Sequence, residues 1–165
     1  MVEYAKCSAW DVTTSEHQAY VLAGYLQELL KKRPFEISRD WEDIIDDKIY
    51  LIKEDIFCEP ISESEAMELK TEEYSLPGYA ICKVQKVRDA EKLSREMTDL
   101  WREYRRKKRE MTNEEKKEVL EKIQSIASEI SEILSRECFP GEYEEEEITV
   151  KEEIETPYER RYRPL

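Results

Sequence analysis

Glycine and histidine are nearly absent from this 165-residue chain: it has three Gly and one His, with a single Asn and four Gln. Gly24, Gly78 and Gly141 lie far apart, so no glycine-rich phosphate loop can form. The lone His17 has no nucleophile close to it in sequence. It is expected in the first turn of the first helix, in a surface or capping role rather than a catalytic one. A cysteine nucleophile would need that same His as its base. No apolar run approaches the ~18 residues of a membrane span. The start, Met1 to Lys6, lacks the basic-then-apolar layout of a secretory signal, so a cytoplasmic location is expected.

The four cysteines, Cys7, Cys58, Cys82 and Cys138, form no CxxC pair, and each would bring a metal a ligand from a different element. Buried thiols are the first expectation, with one disulfide as the alternative and a metal site a distant third. No metal or other cofactor is expected.

What the chain has in abundance is charge. Against 27 Lys and Arg stand 40 Asp and Glu, a net charge of −13, and mean hydropathy is −0.82. Ten Tyr, three Trp and long Ile/Leu/Val segments still supply a core, which argues against a disordered acidic chain. Glu makes up 32 of the 40 acids and amides are scarce, a pattern that points to a thermophile, archaeal or viral.

Periodicity gives the expected elements. Residues 2–10 read as a strand. A helix over 14–33 follows, with Thr13 and Glu16 at capping-box spacing, Leu22, Tyr25, Leu26, Leu29 and Leu30 on one face, and Pro34 as its stop. Residues 39–47 read as a short acidic helix, KIYLIK (48–53) as a second strand continued by 56–58, and Pro60 as its end. Ser62 and Glu65 open another helix, and YAICKVQKV (79–87) is the strongest strand. The fold class is α+β: a sheet of three to four strands covered by helices, with a protruding antiparallel helical hairpin.

That hairpin is the clearest feature. Leu93, Met97, Leu100 and Tyr104, then Val119, Ile123, Ile126, Ile130 and Ile133, step alternately by three and four, as core seams do. Tyr104 with Val119, Leu100 with Ile123, Met97 with Ile126 and Leu93 with Ile130 are symmetric about the Met111–Thr112 bond. Two arms folded there would meet at matching heights, and Thr112 with Glu115 supplies a third capping box. The expected organisation is therefore a body over 1–87, a hairpin over 88–137 and an acidic tail over 138–165.

Segmentation sorts the charge into −8, zero and −5 for these three parts. At the hairpin turn, Arg105, Arg106, Lys107, Lys108, Arg109, Lys116 and Lys117 outnumber Glu110, Glu114, Glu115 and Glu118, leaving a local +3. Such a tip is suited to nucleic-acid phosphates, although solvated hairpin tips are often simply charged, and an acidic protein is a further candidate. Trp101 and Tyr104 fit the seam and are read as packing groups, not base-stacking ones. In the tail, YEEEE (143–147) could shield the tip, and ITVKEEIE could add as a strand to an exposed edge. The last ten residues alternate aromatics with Arg. Tyr158, Arg160, Arg161, Tyr162, Arg163 and Leu165 are accordingly candidate partner-binding residues, a frayed tail being the alternative.

Carboxylates are the one catalytic resource left. Asp40, Asp43 and Asp47 share a helix face by spacing and could hold Mg²⁺. Separately, Asp55 with Glu68-Leu69-Lys70 resembles the acid and E-x-K elements of restriction-type nucleases, but 62–70 reads as helix where that motif needs a strand; a metal-dependent nuclease would use Asp43, Asp47, Asp55, Glu68 and Lys70. The leading expectation is a non-catalytic accessory or adaptor subunit of a nucleic-acid-handling complex, with a protein partner. A Mg-dependent nuclease and an acidic DNA-mimic inhibitor are the alternatives.

Overall fold

The computed structural model describes residues 2–71 and 78–139. Four antiparallel strands form one sheet: β1 (Tyr4–Ser8), β2 (Cys58–Ile61), β3 (Tyr79–Lys83) and the two-residue β4 (Cys138–Phe139), in the order β2-β1-β3-β4. Among the described residues five α-helices accompany it, α1 (Ala9–Lys31), α2 (Arg39–Leu51), α3 (Glu63–Thr71), α4 (Val84–Lys107) and α5 (Asn113–Glu137), with a 3-10 turn at Lys108–Glu110 between the last two. The fold is α+β, a small sheet covered by helices, as the sequence indicated.

α1 and α4 run straight out of β1 and β3, and α5 runs straight into β4. α2 lies antiparallel to α4. Ile52 O accepts from Ser94 Oγ, Asp46 from Trp101 and Glu42 from Tyr104, so ascending residues of one helix meet descending residues of the other. α1 packs along α5. Leu22, Leu26 and Leu29 of α1 thus share a single core with Met97, Trp101 and Tyr104 of α4 and Leu120, Ile123 and Ile130 of α5.

The hairpin is present with its pivot where the seams placed it. Thr112 Oγ1 accepts from Glu115 N at 3.1 Å while Glu115 Oε1 accepts from Thr112 N at 3.0 Å, so the capping box is complete. At the other end Lys83 and Glu137 close the base with a 2.8 Å ion pair. Its two arms are built into the core of the body they were expected to stand out from. The segments 1–87 and 88–137 are continuous in packing.

Several boundaries differ from the sequence reading. α1 starts at Ala9, capped by Ser8, whose side chain accepts from Asp11 N; Thr13 and Glu16 are interior, and His17 sits in the middle of the helix. Residues 48–51 of KIYLIK are the last turn of α2 rather than a strand, with Ile52 as its C-cap, because Ile45, Ile49 and Ile52 are spaced 4 and 3 and all three are buried. The 79–87 strand stops at Lys83, since Val87 and Ala90 continue the buried stripe of α4. Pro60 lies within β2 instead of ending it. Ser8 N donates to Phe57 O, so the alternation of an antiparallel ladder turns Cys58 and Pro60 toward the open edge, where a missing N–H costs nothing.

The cysteines are not thiols. Cys7 faces Cys58 across β1 and β2, Cys82 faces Cys138 across β3 and β4, and each pair is a disulfide. Each edge strand is thereby joined covalently to its inner neighbour.

Candidate functional site

At the hairpin tip the sequence places cations on the last turn of α4, on the 3-10 turn Lys108–Glu110 that follows it, and at the start of α5. The structure adds a buried acid from α2. Ser38 Oγ caps α2 by accepting from Trp41 N. One turn of helix then carries Glu42 inward, where it is 6% exposed. Lys108 Nζ contacts both carboxylate oxygens, at 2.9 and 3.0 Å, and Tyr104 donates its hydroxyl at 2.9 Å. Burial pushes the Glu42 carboxyl upward, but the hydrogen bonds from Lys108 and Tyr104 and the charges of Lys108 and Arg105 outweigh it and hold the group below the usual carboxylate value. Tyr104 moves the other way: burial first, then its bond to the Glu42 anion, push its hydroxyl well above the usual phenol value. It stays a neutral donor. Farther along the two helices, Trp101 Nε1 donates to Asp46 Oδ1 at 2.9 Å, and Arg105 pairs with the same oxygen at 3.4 Å.

Above this network opens a cleft of about 550 Å³, lined by Ile37, Arg39, Glu42, Asp43, Tyr104, Arg105, Lys108, Arg109 and Lys116. Five cations and two carboxylates line it, a local charge of +3 on a chain of −13. Among the described residues Arg39, Arg109 and Lys116 make no ion pair. These three cations, from α2 and both sides of the turn, are brought together only by the fold.

Of the seven tip cations expected to contact nucleic acid, four therefore converge: Arg105, Lys108, Arg109 and Lys116. The other three do not. Lys107 pairs with Glu103 at 3.1 Å, Lys117 lies over the Phe35 ring at 5.4 Å from its centroid, and Arg106 is exposed outside the cleft lining. Trp101 and Tyr104 are buried and stack on each other, centroids 4.8 Å apart, in keeping with the packing role read from the seam. Arg39 was missed by sequence reasoning. It is separated from the basic run by more than sixty residues, and only the antiparallel seating of α2 on α4 brings it there.

The partner-binding candidates Tyr158, Arg160, Arg161, Tyr162, Arg163 and Leu165, together with YEEEE and ITVKEEIE, lie outside the described residues. The nuclease residues are dispersed: Asp43 and Asp47 sit on α2, Asp55 in the loop before β2, and Glu68 and Lys70 on α3. Among the described residues no three His, Cys, Asp or Glu side chains converge as a metal-ligand set. Asp40, Asp43, Asp46 and Asp47 are all exposed on α2. Asp47 titrates above the usual value, through partial burial and then the charges of Asp46 and Asp43.

No helix among the described residues is long and apolar enough to cross a membrane. No family model, curated protein or solved structure matches the chain.

Proposed function

We propose that this protein is a non-catalytic accessory subunit of a nucleic-acid-handling complex, and that the cleft between α2 and the hairpin turn is its nucleic-acid contact. The observation that carries the reading is the convergence of Arg39, Arg105, Lys108, Arg109 and Lys116 on one concave surface of a strongly acidic molecule. Clustered cations in a concavity focus the field and favour polyanions, and phosphates reward each Lys or Arg by releasing counterions. Negative charge over the rest of the surface opposes broad non-specific adsorption, so the contact is local. A protein partner, engaged through residues 156–165, would supply the remaining affinity.

The test is binding of fluorescent DNA and RNA oligonucleotides to the full chain and to Arg39→Glu/Arg109→Glu/Lys116→Glu. Wild-type protein is expected to bind at low salt, in the micromolar range or weaker, and the triple variant to lose that binding. Equal binding by both would remove the cleft from the reading. Affinity purification with and without residues 156–165 tests the partner: a protein retained equally by both forms would contradict docking through the tail.

A further inference from the structure

We infer that the cleft takes the phosphodiester backbone alone, over about three phosphates and without regard to base sequence. This inference rests on the functional reading above and narrows it to a ligand chemistry.

Three observations carry it. First, base recognition by stacking needs an open aromatic face, and the cleft has none: Tyr104 is 1% exposed and its ring stacks on Trp101, itself 3% exposed. Second, no Asn or Gln lines the cleft, so the side chains that read adenine bidentately are absent, and a guanine preference through Arg39 or Arg109 is the base-reading outcome that the sequence comparison below tests. Tyr104 itself is committed as a donor to Glu42. Third, the cations are not equally available. Lys108 is held by both oxygens of Glu42 and Arg105 by Asp46, whereas Arg39, Arg109 and Lys116 are unpaired among the described residues. Three unpaired cations correspond to about three phosphates. Farther along α2 than the cleft-lining Asp43, the exposed acids Asp46 and Asp47 repel a polyanionic backbone, which bounds the footprint.

A three-phosphate contact has a defined salt signature. The slope of log K against log salt should be about −2.7 on duplex and about −2.1 on a single strand, from −0.9 and −0.7 per phosphate. Removing one of the three cations should make the slope shallower by about one.

The experiment is fluorescence anisotropy over a series of NaCl concentrations, with the full-length chain and labelled oligonucleotides of equal length: poly-dT, mixed-sequence DNA single strands, the corresponding duplex, and RNA. Wild type is compared with Arg109→Gln, Lys116→Gln and the double variant, each first melted by circular dichroism to show that it is folded. Affinities that agree within about threefold between sequences of the same strand type, with slopes between about −2 and −3, support the inference. A single- or double-strand preference would identify the source of the backbone within the same chemistry. A tenfold preference for one sequence would overturn backbone-only reading, and so would a slope steeper than about −5, which requires a wider surface. Either result leaves the nucleic-acid reading standing. Absence of binding to every oligonucleotide would overturn both.

Discussion

Lys108 and Glu42, sixty-six residues apart in sequence, are joined by both carboxylate oxygens at 2.9 and 3.0 Å, and the bond fastens the hairpin turn to α2. A carboxylate this buried is tolerable only while its charge is answered, and Lys108 and Tyr104 answer it. The cleft depends on the same bond, because it is α2 that contributes Arg39.

Lys108→Met should therefore destabilise the fold by about 2 kcal/mol, less than for a fully buried pair because Lys108 is partly solvated. Tyr104→Phe keeps the ring and removes one donor, with an expected cost of about 1 kcal/mol. Urea unfolding read by circular dichroism measures both. If Lys108→Met matched wild type, the bond would be a surface contact without structural weight.

The pH dependence follows from the same group. Glu42 titrates lower in the folded protein than its ordinary value near 4.5, so the unfolded chain takes up protons first as pH falls. Glu115, held by the backbone and hydroxyl of Thr112, and Glu137, held by Lys83, are lowered as well. Their contribution is present above about pH 4.5 and is lost as pH drops through the depressed folded values. Asp47 has the opposite sign: its raised value means that its charge opposes folding at neutral pH and is relieved on acidification. Melting temperature between pH 7 and pH 3 is expected to fall, less steeply in Glu42→Gln than in wild type. Asp47→Asn should raise the melting temperature at pH 7.

These features were unevenly legible in the sequence. The hairpin was readable because its seams are local and its turn carries a capping box. KIYLIK taken alone resembles a strand through Ile49, Tyr50 and Ile52, but read together with DWEDII before it, Ile45, Ile49 and Ile52 make one helical stripe. Ser8 lies inside the strand expected over 2–10, so its three-residue spacing to Asp11, the same as that of Thr13 to Glu16, is not read as a cap until the end of β1 is known. The disulfides required strand register, which no local pattern encodes. The cleft was half legible: the basic run was plain, but Arg39 and Glu42 joined it through tertiary packing.

The disulfides make a further measurable claim. They close loops with sequence separations of 51 and 56 residues. Loops of this size are worth up to about 4 kcal/mol by the chain-entropy relation. Reduction is expected to lower the melting temperature by many degrees. Cys7, Cys82 and Cys138 are buried while Cys58 lies half-buried on an edge strand, so limited reduction and alkylation should label Cys7 and Cys58 first. Intact mass after alkylation without reductant should show no modified thiol; four labelled cysteines would contradict the pairing.

Gly24 offers a test of α1. It is exposed in the helix interior, and a Cβ placed there meets nothing within 4 Å. Gly24→Ala should stabilise the protein by about 0.5–1 kcal/mol, through a less flexible unfolded chain and better helix propensity. Destabilisation on thermal melting would show that α1 does not run unbroken through this position.

The central claim is that nucleic acid is bound at the cleft between α2 and the hairpin turn. Its most direct measurement is a two-dimensional amide NMR titration of the full chain with a short DNA or RNA oligonucleotide at low salt. Shifts are expected at residues 37–43 and 104–117, around Arg39, Arg109 and Lys116, with α3 and the sheet unmoved. Shifts centred on α3 or the sheet, or none at saturating oligonucleotide, would contradict it.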